Sequence, residues 1–199
     1  MIPARDALVL PLHFQNEVIH PDGAIHAGFG GPHGDREPFL AAAAQVLAKS
    51  RAAVVPLIYL RMAFQPGGTD LPDNCALYRN VKAAGVMQEG SWGTGFVDAL
   101  GPQPGDAIVS HNRVNSFFAT DLAERIAATG RGRLVLMGVA THSVVEHTAR
   151  HAADMGLAVT IVTDACSAWP RERHDASLAA IDNLVDTMTA DELGFDTDG

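Results

Sequence analysis

The stretch "RLVLMGVATHSVVEHTARHAADMGLAVTIVTDA" (133–165) decides the fold class. Its two ends are nearly continuous apolar runs, which are typical of strands buried on both faces of a parallel sheet. Its middle, residues 141–156, places apolar side chains at helical spacing and ends at Gly156, and glycine is favoured just after a helix. A strand, a helix and a second strand in this order predict a right-handed βαβ unit.

Similar apolar runs and helical patterns continue on both sides of this unit. They predict further strands at 7–12, 53–60 and 106–110 and helices at 37–52, 120–130 and 174–193. The alternation favours one α/β domain over residues 1–199 with a parallel, doubly wound sheet. In such sheets the ligand crevice lies beyond the carboxyl ends of the strands.

Composition excludes several classes of protein. The chain has 47% hydrophobic and 19% charged residues, a formal net charge of −9 and no basic cluster, so nucleic acid and anionic membrane surfaces are poor partners. Its two cysteines are far apart in the sequence, which argues against a disulfide framework and against a thiolate metal site. We expect no metal and no cofactor. The lack of a secretory signal or a bilayer-length apolar run predicts a cytoplasmic protein.

Two histidines follow predicted strands. His13 comes directly after the strand at 7–12, and His111 comes directly after the strand at 106–110. Because carboxyl ends of parallel strands meet at one edge of the sheet, both side chains belong near the expected crevice. Each is either a catalytic group or a polar residue that hydrogen-bonds a loop at the strand end.

Four segments together resemble the isochorismatase-like superfamily, also called the cysteine hydrolases. They are "ALVLPLHFQNEVIHPDG" (7–23), "EGSWGTGFVDALGPQPGD" (89–106), "HNRVNSFFATDL" (111–122) and "LMGVATHSVVEHTARHAADMGLAVTIVTDAC" (136–166). The resemblance implies a Rossmann-like, three-layer α/β/α fold with a six-stranded parallel sheet, assembled as a homodimer or homotetramer. It also implies a cis peptide between Val139 and Ala140, and amide donors at Ala140 and Val144 that polarise a substrate carbonyl.

The same resemblance shows a substituted catalytic triad. Family members that cleave amides use an aspartate, a lysine and a nucleophilic cysteine, and these positions are His13, His111 and Val144 here. Thiol-dependent hydrolysis at Val144 is therefore excluded, and Cys166 is expected to be a buried apolar residue. Like-charge repulsion between two adjacent histidines would separate their pKa values, which predicts one neutral base and one cationic acid.

Two functions remain open from the sequence. The first is a divergent hydrolase of a small metabolite (a vinyl ether, ester or amide) that uses His13 and His111 as an acid/base pair. The second is a catalytically inactive homologue that binds a ligand or serves as an oligomeric partner. The substrate-binding candidates, for which core or interface packing is the alternative, are Phe14, Gln15, Phe29, Trp92, Phe117, Val139, Ala140, Thr141 and Val144.

Three other segments carry weaker expectations. The glycine-rich segment 23–39 is expected to form a mobile loop over the crevice. His142, His147 and His151 are expected to face solvent or a neighbouring subunit. The acidic tail, residues 190–199, is expected to be mobile or to lie on a neighbouring subunit.

Overall fold

A six-stranded, all-parallel sheet forms the centre of the structure, a computed structural model that describes residues 1–197. In chain order its strands are β2 (Ala7–Leu12), β3 (Ile58–Met62), β4 (Ala107–His111), β5 (Arg133–Val139), β6 (Ala158–Ser167) and β7 (Asp186–Met188). Their spatial order is β4-β3-β2-β5-β6-β7, which confirms the expected parallel sheet. The chain leaves the central strand β2 toward β3 on one side and later returns to β5 on the other, and a crevice opens at such a switch point.

Helices flank the sheet and give the predicted three-layer α/β/α arrangement. They are α1 (Asn16–Ile19), α2 (Glu37–Ala52), α3 (Ala76–Ala84), α4 (Leu122–Thr129), α5 (Glu146–Asp154) and α6 (Arg171–Ala180). The alanine-rich α2 has the predicted bounds, and α4 ends at Gly130, whose φ of 67° is the left-handed conformation that glycine adopts at helix ends. Within residues 1–197 no helix combines the length and apolar character needed to span a membrane.

The centre of the core is the pair of strands β2 and β5. All six residues of β2 are buried, because helices cover both faces of the sheet. The two strands pair in register from Ala7 opposite Arg133 to Leu12 opposite Gly138. A Cβ atom at Gly138 would lie 2.1 Å from the Leu12 carbonyl oxygen, so this close approach just before the site requires glycine.

The predicted helix at 174–193 is wrong in its second half. Helix α6 begins at Arg171 and ends at Ala180, and residues 186–188 form the edge strand β7 beside β6. Ile181 is buried in the turn between them, whereas Leu184 is 42% exposed. The apolar residues beyond Ala180 therefore continue the helical spacing without belonging to one helix face.

The segment that follows β7 packs against its own chain. The short strand β8 (Phe195–Asp196) pairs with β1 (Ile2–Pro3), and Leu193 is buried. The Lys49 ammonium group donates hydrogen bonds to the carbonyl oxygens of Ala190, Asp191 and Leu193 at 2.7, 3.0 and 2.7 Å. Residues 190–196 thus pack on their own chain, contrary to the expected mobile tail, whereas contact with a neighbouring subunit stays a prediction; residues 198 and 199 lie outside the described part of the chain.

Candidate active site

His13 and His111 meet at the carboxyl ends of β2 and β4. His13 has a φ of 57°, a left-handed conformation that is rare outside glycine, and its backbone N–H donates to the Leu60 carbonyl of the intervening strand β3. The two Nε2 atoms lie 2.9 Å apart, and the rings stack with centroids 4.9 Å apart at 21°. Both side chains are buried, so the pair is a direct hydrogen bond shielded from water.

The partners of the pair fix the position of its protons. The Nδ1 atom of His111 lies 2.7 Å from the carbonyl oxygen of Arg113, which only accepts hydrogen bonds. The neutral His111 ring therefore carries its proton on Nδ1 and has a free lone pair on Nε2. Between two neutral rings, Nε2–H of His13 is then the donor to Nε2 of His111.

Burial keeps both rings neutral. Desolvation, followed by the like charge of His111, holds the pKa of His13 well below 6.5, and the nearby Val139 carbonyl only partly offsets this. Desolvation likewise lowers the pKa of His111 to about 4, against a smaller opposite effect of its bond to Arg113. Burial thus disfavours the charged form of both rings and favours two neutral imidazoles over the expected combination of a neutral base and a cationic acid.

A cavity of about 280 Å³ opens beside His13. This is near the lower end of the volumes of small-molecule sites. His13 lies on its wall, whereas His111 contacts His13 and does not line the cavity. Much of the remaining wall comes from the segment between β3 and β4, in particular Phe64, Leu77, Tyr78, Val81 and Met87.

The turn after β5 contributes the other side of the cavity. The peptide between Val139 and Ala140 is cis, as the resemblance implied, and Ala140 borders the cavity. A π-helical turn (Thr141–Val145) leads from there into α5. Val144 is fully buried away from the cavity, and Thr141 is buried with its hydroxyl 2.8 Å from Nδ1 of His174.

The structure places the predicted aromatic residues Phe14 and Phe29 elsewhere. Phe14 is fully buried and packs edge-to-face on Phe39 of α2, and Phe29 packs on the same ring. Phe29 also lies beneath the Arg36 guanidinium, which donates hydrogen bonds to the carbonyls of the glycine-rich loop. The loop at 23–39 is thus anchored, and these two rings support it rather than line the cavity.

Three further predicted binding residues lie outside the cavity wall. Gln15 ties the end of β2 to β3, because its side-chain amide bonds both the N–H and the carbonyl of Met62 at 2.8 Å. Trp92 is 54% exposed, and Phe117 is buried with its ring stacked on His151 at 4.5 Å. Of the predicted binding set, only Ala140 borders the cavity.

Three polar residues of this cavity were not predicted from the sequence. His142, expected to face solvent or a neighbouring subunit, borders the cavity beside Ser143, and Arg173 of α6 lies on the same wall. The arginine carried a sequence signal, since no acidic residue lies one helical turn away from it. His147 is exposed and His151 stacks on Phe117, so neither reaches the cavity.

The remaining nucleophile and metal-binding groups do not contribute to this site. Cys166 is buried in β6, and desolvation raises the pKa of its thiol to about 12, which keeps it protonated. In the part of the chain that the structure describes, no three His, Cys, Asp or Glu side chains are grouped as metal ligands.

Comparison with known proteins identifies the family. The isochorismatase domain matches residues 7–192. The chain belongs to the isochorismatase family. It is therefore assigned to a family of hydrolases. One similar protein is ureidoacrylate amidohydrolase RutB of Methylobacterium radiotolerans, which is 31% identical over 198 residues; the match covers 92% of this chain and 75% of that protein.

Solved structures agree with this isochorismatase fold. A cysteine hydrolase from Pseudomonas syringae pv. phaseolicola 1448A superposes with a TM-score of 0.86 at 24% identity, over 96% of this chain and 92% of that one. N-carbamoylsarcosine amidase from Thermoplasma acidophilum superposes with a TM-score of 0.72 at 22% identity, over 97% and 99% of the two chains. At these identities the likeness establishes the fold of this isochorismatase-family chain.

Proposed function

We propose that this protein hydrolyses a small amide or ester, with His13 as the general acid/base and His111 as its hydrogen-bond partner. The observation that carries the proposal is the buried 2.9 Å contact between the two imidazoles at the cavity wall. Similar proteins are named for the hydrolysis of ureidoacrylate and maleamate, which supports an amide-type substrate. The neutral rings and the buried thiol support a route without a cysteine nucleophile.

In the proposed reaction, water is the nucleophile. His13 accepts a proton from the water molecule while the water oxygen bonds to the substrate carbonyl carbon. The resulting imidazolium donates its Nε2 proton toward His111, and the adjacent Val139 carbonyl stabilises the positive charge. The amide N–H of Ala140 binds the oxyanion of the tetrahedral intermediate.

Collapse of this intermediate completes the hydrolysis. The carbon–nitrogen or carbon–oxygen bond breaks, and His13 returns its proton to the leaving amine or alcohol. The products are a carboxylic acid and that amine or alcohol, and the histidine pair is again neutral. A vinyl ether fits less well, because its hydrolysis begins with protonation by a strong acid, whereas burial keeps both imidazoles neutral.

The test is a hydrolysis panel at pH 5 to 9 with small primary amides, methyl esters and isochorismate. We expect turnover of amides or esters that falls at least 100-fold in His13→Ala, because general acid/base catalysis typically contributes a factor of about 10²–10⁴. His33→Ala is the matched control, since His33 is exposed on the glycine-rich loop. Cys166→Ala excludes a displaced thiol nucleophile if it retains activity.

Three results would contradict the proposal or its first step. Turnover that survives in His13→Ala, with the fold verified by circular dichroism, would remove the histidine pair from the chemistry. No turnover of any panel member by the wild-type protein would favour the catalytically inactive homologue that binds a ligand or a partner. A covalent acyl-enzyme that accumulates in the wild type but not in Ser143→Ala would show that the first nucleophile is the Ser143 hydroxyl, which lines the cavity, and not water.

A further inference from the structure

An apolar groove adjoins the cavity beside His13. Its volume is about 330 Å³, and its walls come mainly from the start of α3 and from the segment that follows β4. Leu77, Tyr78 and Val114 line both the groove and the cavity, so these three side chains form the boundary between the two. The cavity alone is small for a metabolite site, whereas the cavity and the groove together reach the ordinary range of such volumes.

Two large apolar side chains of this groove are exposed to solvent. Leu77 is 46% exposed and Phe118 is 56% exposed. Single exposed apolar side chains are common on protein surfaces, but several that share one concave surface indicate a binding site. The half-buried thiol of Cys75 lies on the same groove and can report on its occupancy.

The rings of the groove are held in place by the protein itself. The Tyr78 side chain is 8% exposed, and its hydroxyl oxygen accepts a hydrogen bond from the Val114 backbone N–H at 3.3 Å. The Arg113 guanidinium lies over the rings of Tyr78 and Phe118, 5.7 and 5.9 Å from their centroids. An apolar group that enters the groove therefore meets a preformed surface, which lowers the entropic cost of binding.

The polar side chains of the groove are already bonded within the protein. Arg113 donates to two backbone carbonyl oxygens, at 3.1 and 2.7 Å. The Asn115 side chain bonds His151, and Nδ1 of His147 lies 3.0 Å from the Ser143 carbonyl oxygen. No Asp, Glu or Lys within residues 1–197 lines the groove. A neutral apolar group therefore fits this surface better than an ion does.

We propose that the groove is a substrate subsite for an extended apolar arm, an unbranched alkyl chain attached to the group that reacts in the cavity. The inference rests on the proposed function only for the reacting bond. Leu77 is the most exposed of the three boundary side chains, so a change of its rotamer opens the passage without repacking the core. The alkyl chain then lies against Tyr78 and Phe118, and the substrate is an alkyl amide or ester rather than a compact polar metabolite.

Neutral methyl ketones test this subsite because they carry no bond to hydrolyse. An NMR titration at pH 7.5 would compare 2-butanone, 2-hexanone and 2-octanone. We expect affinity to rise about three- to fourfold for each methylene group that enters the groove, so that 2-octanone binds at least tenfold more tightly than 2-butanone. Phe118→Asp should reduce this ratio to less than threefold. Val54→Asp, which removes an exposed apolar side chain in the turn after α2, is the matched control and should keep the ratio within twofold.

Alkylation of Cys75 gives a second readout that needs no turnover. Near-saturating 2-octanone should slow the reaction of Cys75 with iodoacetamide at least threefold, because the alkyl chain covers the thiol in the groove. An equal concentration of 2-butanone, which is too short to leave the cavity, should not slow it. The protection should disappear in Phe118→Asp, and mass spectrometry of the labelled peptide measures each rate.

The outcomes separate this inference from the proposed hydrolysis. Equal affinity for the three ketones, or a chain-length preference that survives in Phe118→Asp, would show that the subsite is wrong. A smaller oligomer of Phe118→Asp in light scattering, with the chain-length preference intact, would assign the groove to a second copy of this chain and overturn the proposal. Chain-length-dependent binding together with hydrolysis that is unchanged in His13→Ala would support the subsite and refute the mechanism. Loss of hydrolysis in His13→Ala without any chain-length preference would do the reverse.

Discussion

His13 and His111 occupy the positions at which the family resemblance places an aspartate and a lysine. A buried ion pair there would require desolvation of two charges, which is costly even when the pair is well hydrogen-bonded. Two neutral imidazoles avoid most of this cost and still form one directed hydrogen bond, at 2.9 Å. The substitution therefore keeps a hydrogen-bonded pair of titratable side chains at these positions, and burial lowers the pKa of both.

The lowered pKa values predict a loss of stability in weak acid. In the unfolded chain each ring titrates near 6.5, whereas in the folded protein burial lowers the pKa of His111 to about 4. The unfolded state thus binds more protons between these values, so this stabilising contribution is complete above pH 6.5 and disappears as the pH falls toward 4. For His111 the full loss is on the order of 3 kcal/mol.

Urea unfolding at several pH values between 4 and 7.5 measures this effect. The wild type should lose more unfolding free energy toward pH 4 than the double variant His13→Asn, His111→Asn. The variant His33→Asn, altered at an exposed ring, should retain the wild-type dependence. Equal slopes for the wild type and the double variant would show that the buried pair does not titrate as inferred.

Thiol chemistry provides a second prediction at this scale. Cys166 is buried and its thiol pKa is raised to about 12, whereas Cys75 is half-buried just before α3. Thiolate is the reactive form, so a thiol reagent should label Cys75 in the native protein and spare Cys166 until the protein unfolds. Mass spectrometry of labelled peptides reads this out, and labelling of Cys166 in native buffer would contradict the structure.

At the scale of elements, α6 supports the turn that borders the cavity. Nδ1 of His174 is 2.8 Å from the Thr141 hydroxyl, and the Ser177 hydroxyl donates to the Glu146 carboxylate at 2.7 Å. His174 is 1% exposed, and its Nε2 already lacks a partner among the described residues. The Thr141 hydroxyl is thus the one hydrogen-bond partner that the structure gives this buried ring.

Removing that partner should destabilise the protein. We expect Thr141→Val to lower the unfolding free energy by about 1–3 kcal/mol, because it leaves a buried imidazole without any hydrogen bond. In a double-mutant cycle, Thr141→Val in a His174→Phe background should cost at least about 0.5 kcal/mol less than in the wild type. Additive effects, measured by urea unfolding, would show that the two side chains do not interact.

The elements also show where sequence patterns succeed. The strand at 7–12 lies at the predicted position, and the apolar run that opens the stretch 133–165 forms β5, because long apolar runs covered on both faces have few alternatives. The helical spacing through 174–193 led to a wrong prediction for its second half, because α6 ends at Ala180 and the strand β7 that follows has only three residues. Such a short strand carries almost no pattern of its own, and its pairing with β6 decides its conformation.

At the scale of the whole molecule, the sheet made the catalytic candidates predictable but not their cavity. His13 and His111 follow strands, and parallel strands bring their carboxyl ends to one edge. The apolar wall from Phe64 to Met87 was not predicted. Its residues Leu77, Tyr78 and Val81 lie at helical spacing on α3, but only long-range packing places this helix face on the cavity. Arg173 lies just before the helix predicted at 174–193, and only the fold brings it to the cavity that His13 also lines.

The two ends of the described chain also meet through the fold. Strand β1 pairs with β8, and Lys49 of α2 binds three carbonyl oxygens between Ala190 and Leu193. The Lys49 ammonium group thus holds the last segment against the core. An uncharged residue at this position would leave these carbonyl oxygens without their charged hydrogen-bond donor. Loss of this side chain should therefore loosen the C-terminal segment.

We expect Lys49→Met, which keeps the length of the apolar stem, to lower the unfolding free energy by about 1–2 kcal/mol through the lost charge-assisted bonds. Amide hydrogen exchange should rise selectively at residues 190–196, since they lose their anchor while the central sheet does not. Lys82→Met is the control, because Lys82 forms an exposed ion pair with Asp73 at 3.7 Å and should change stability by less than about 0.5 kcal/mol. Unchanged exchange at residues 190–196 in Lys49→Met would show that β1–β8 pairing and the burial of Leu193 hold this segment without the lysine.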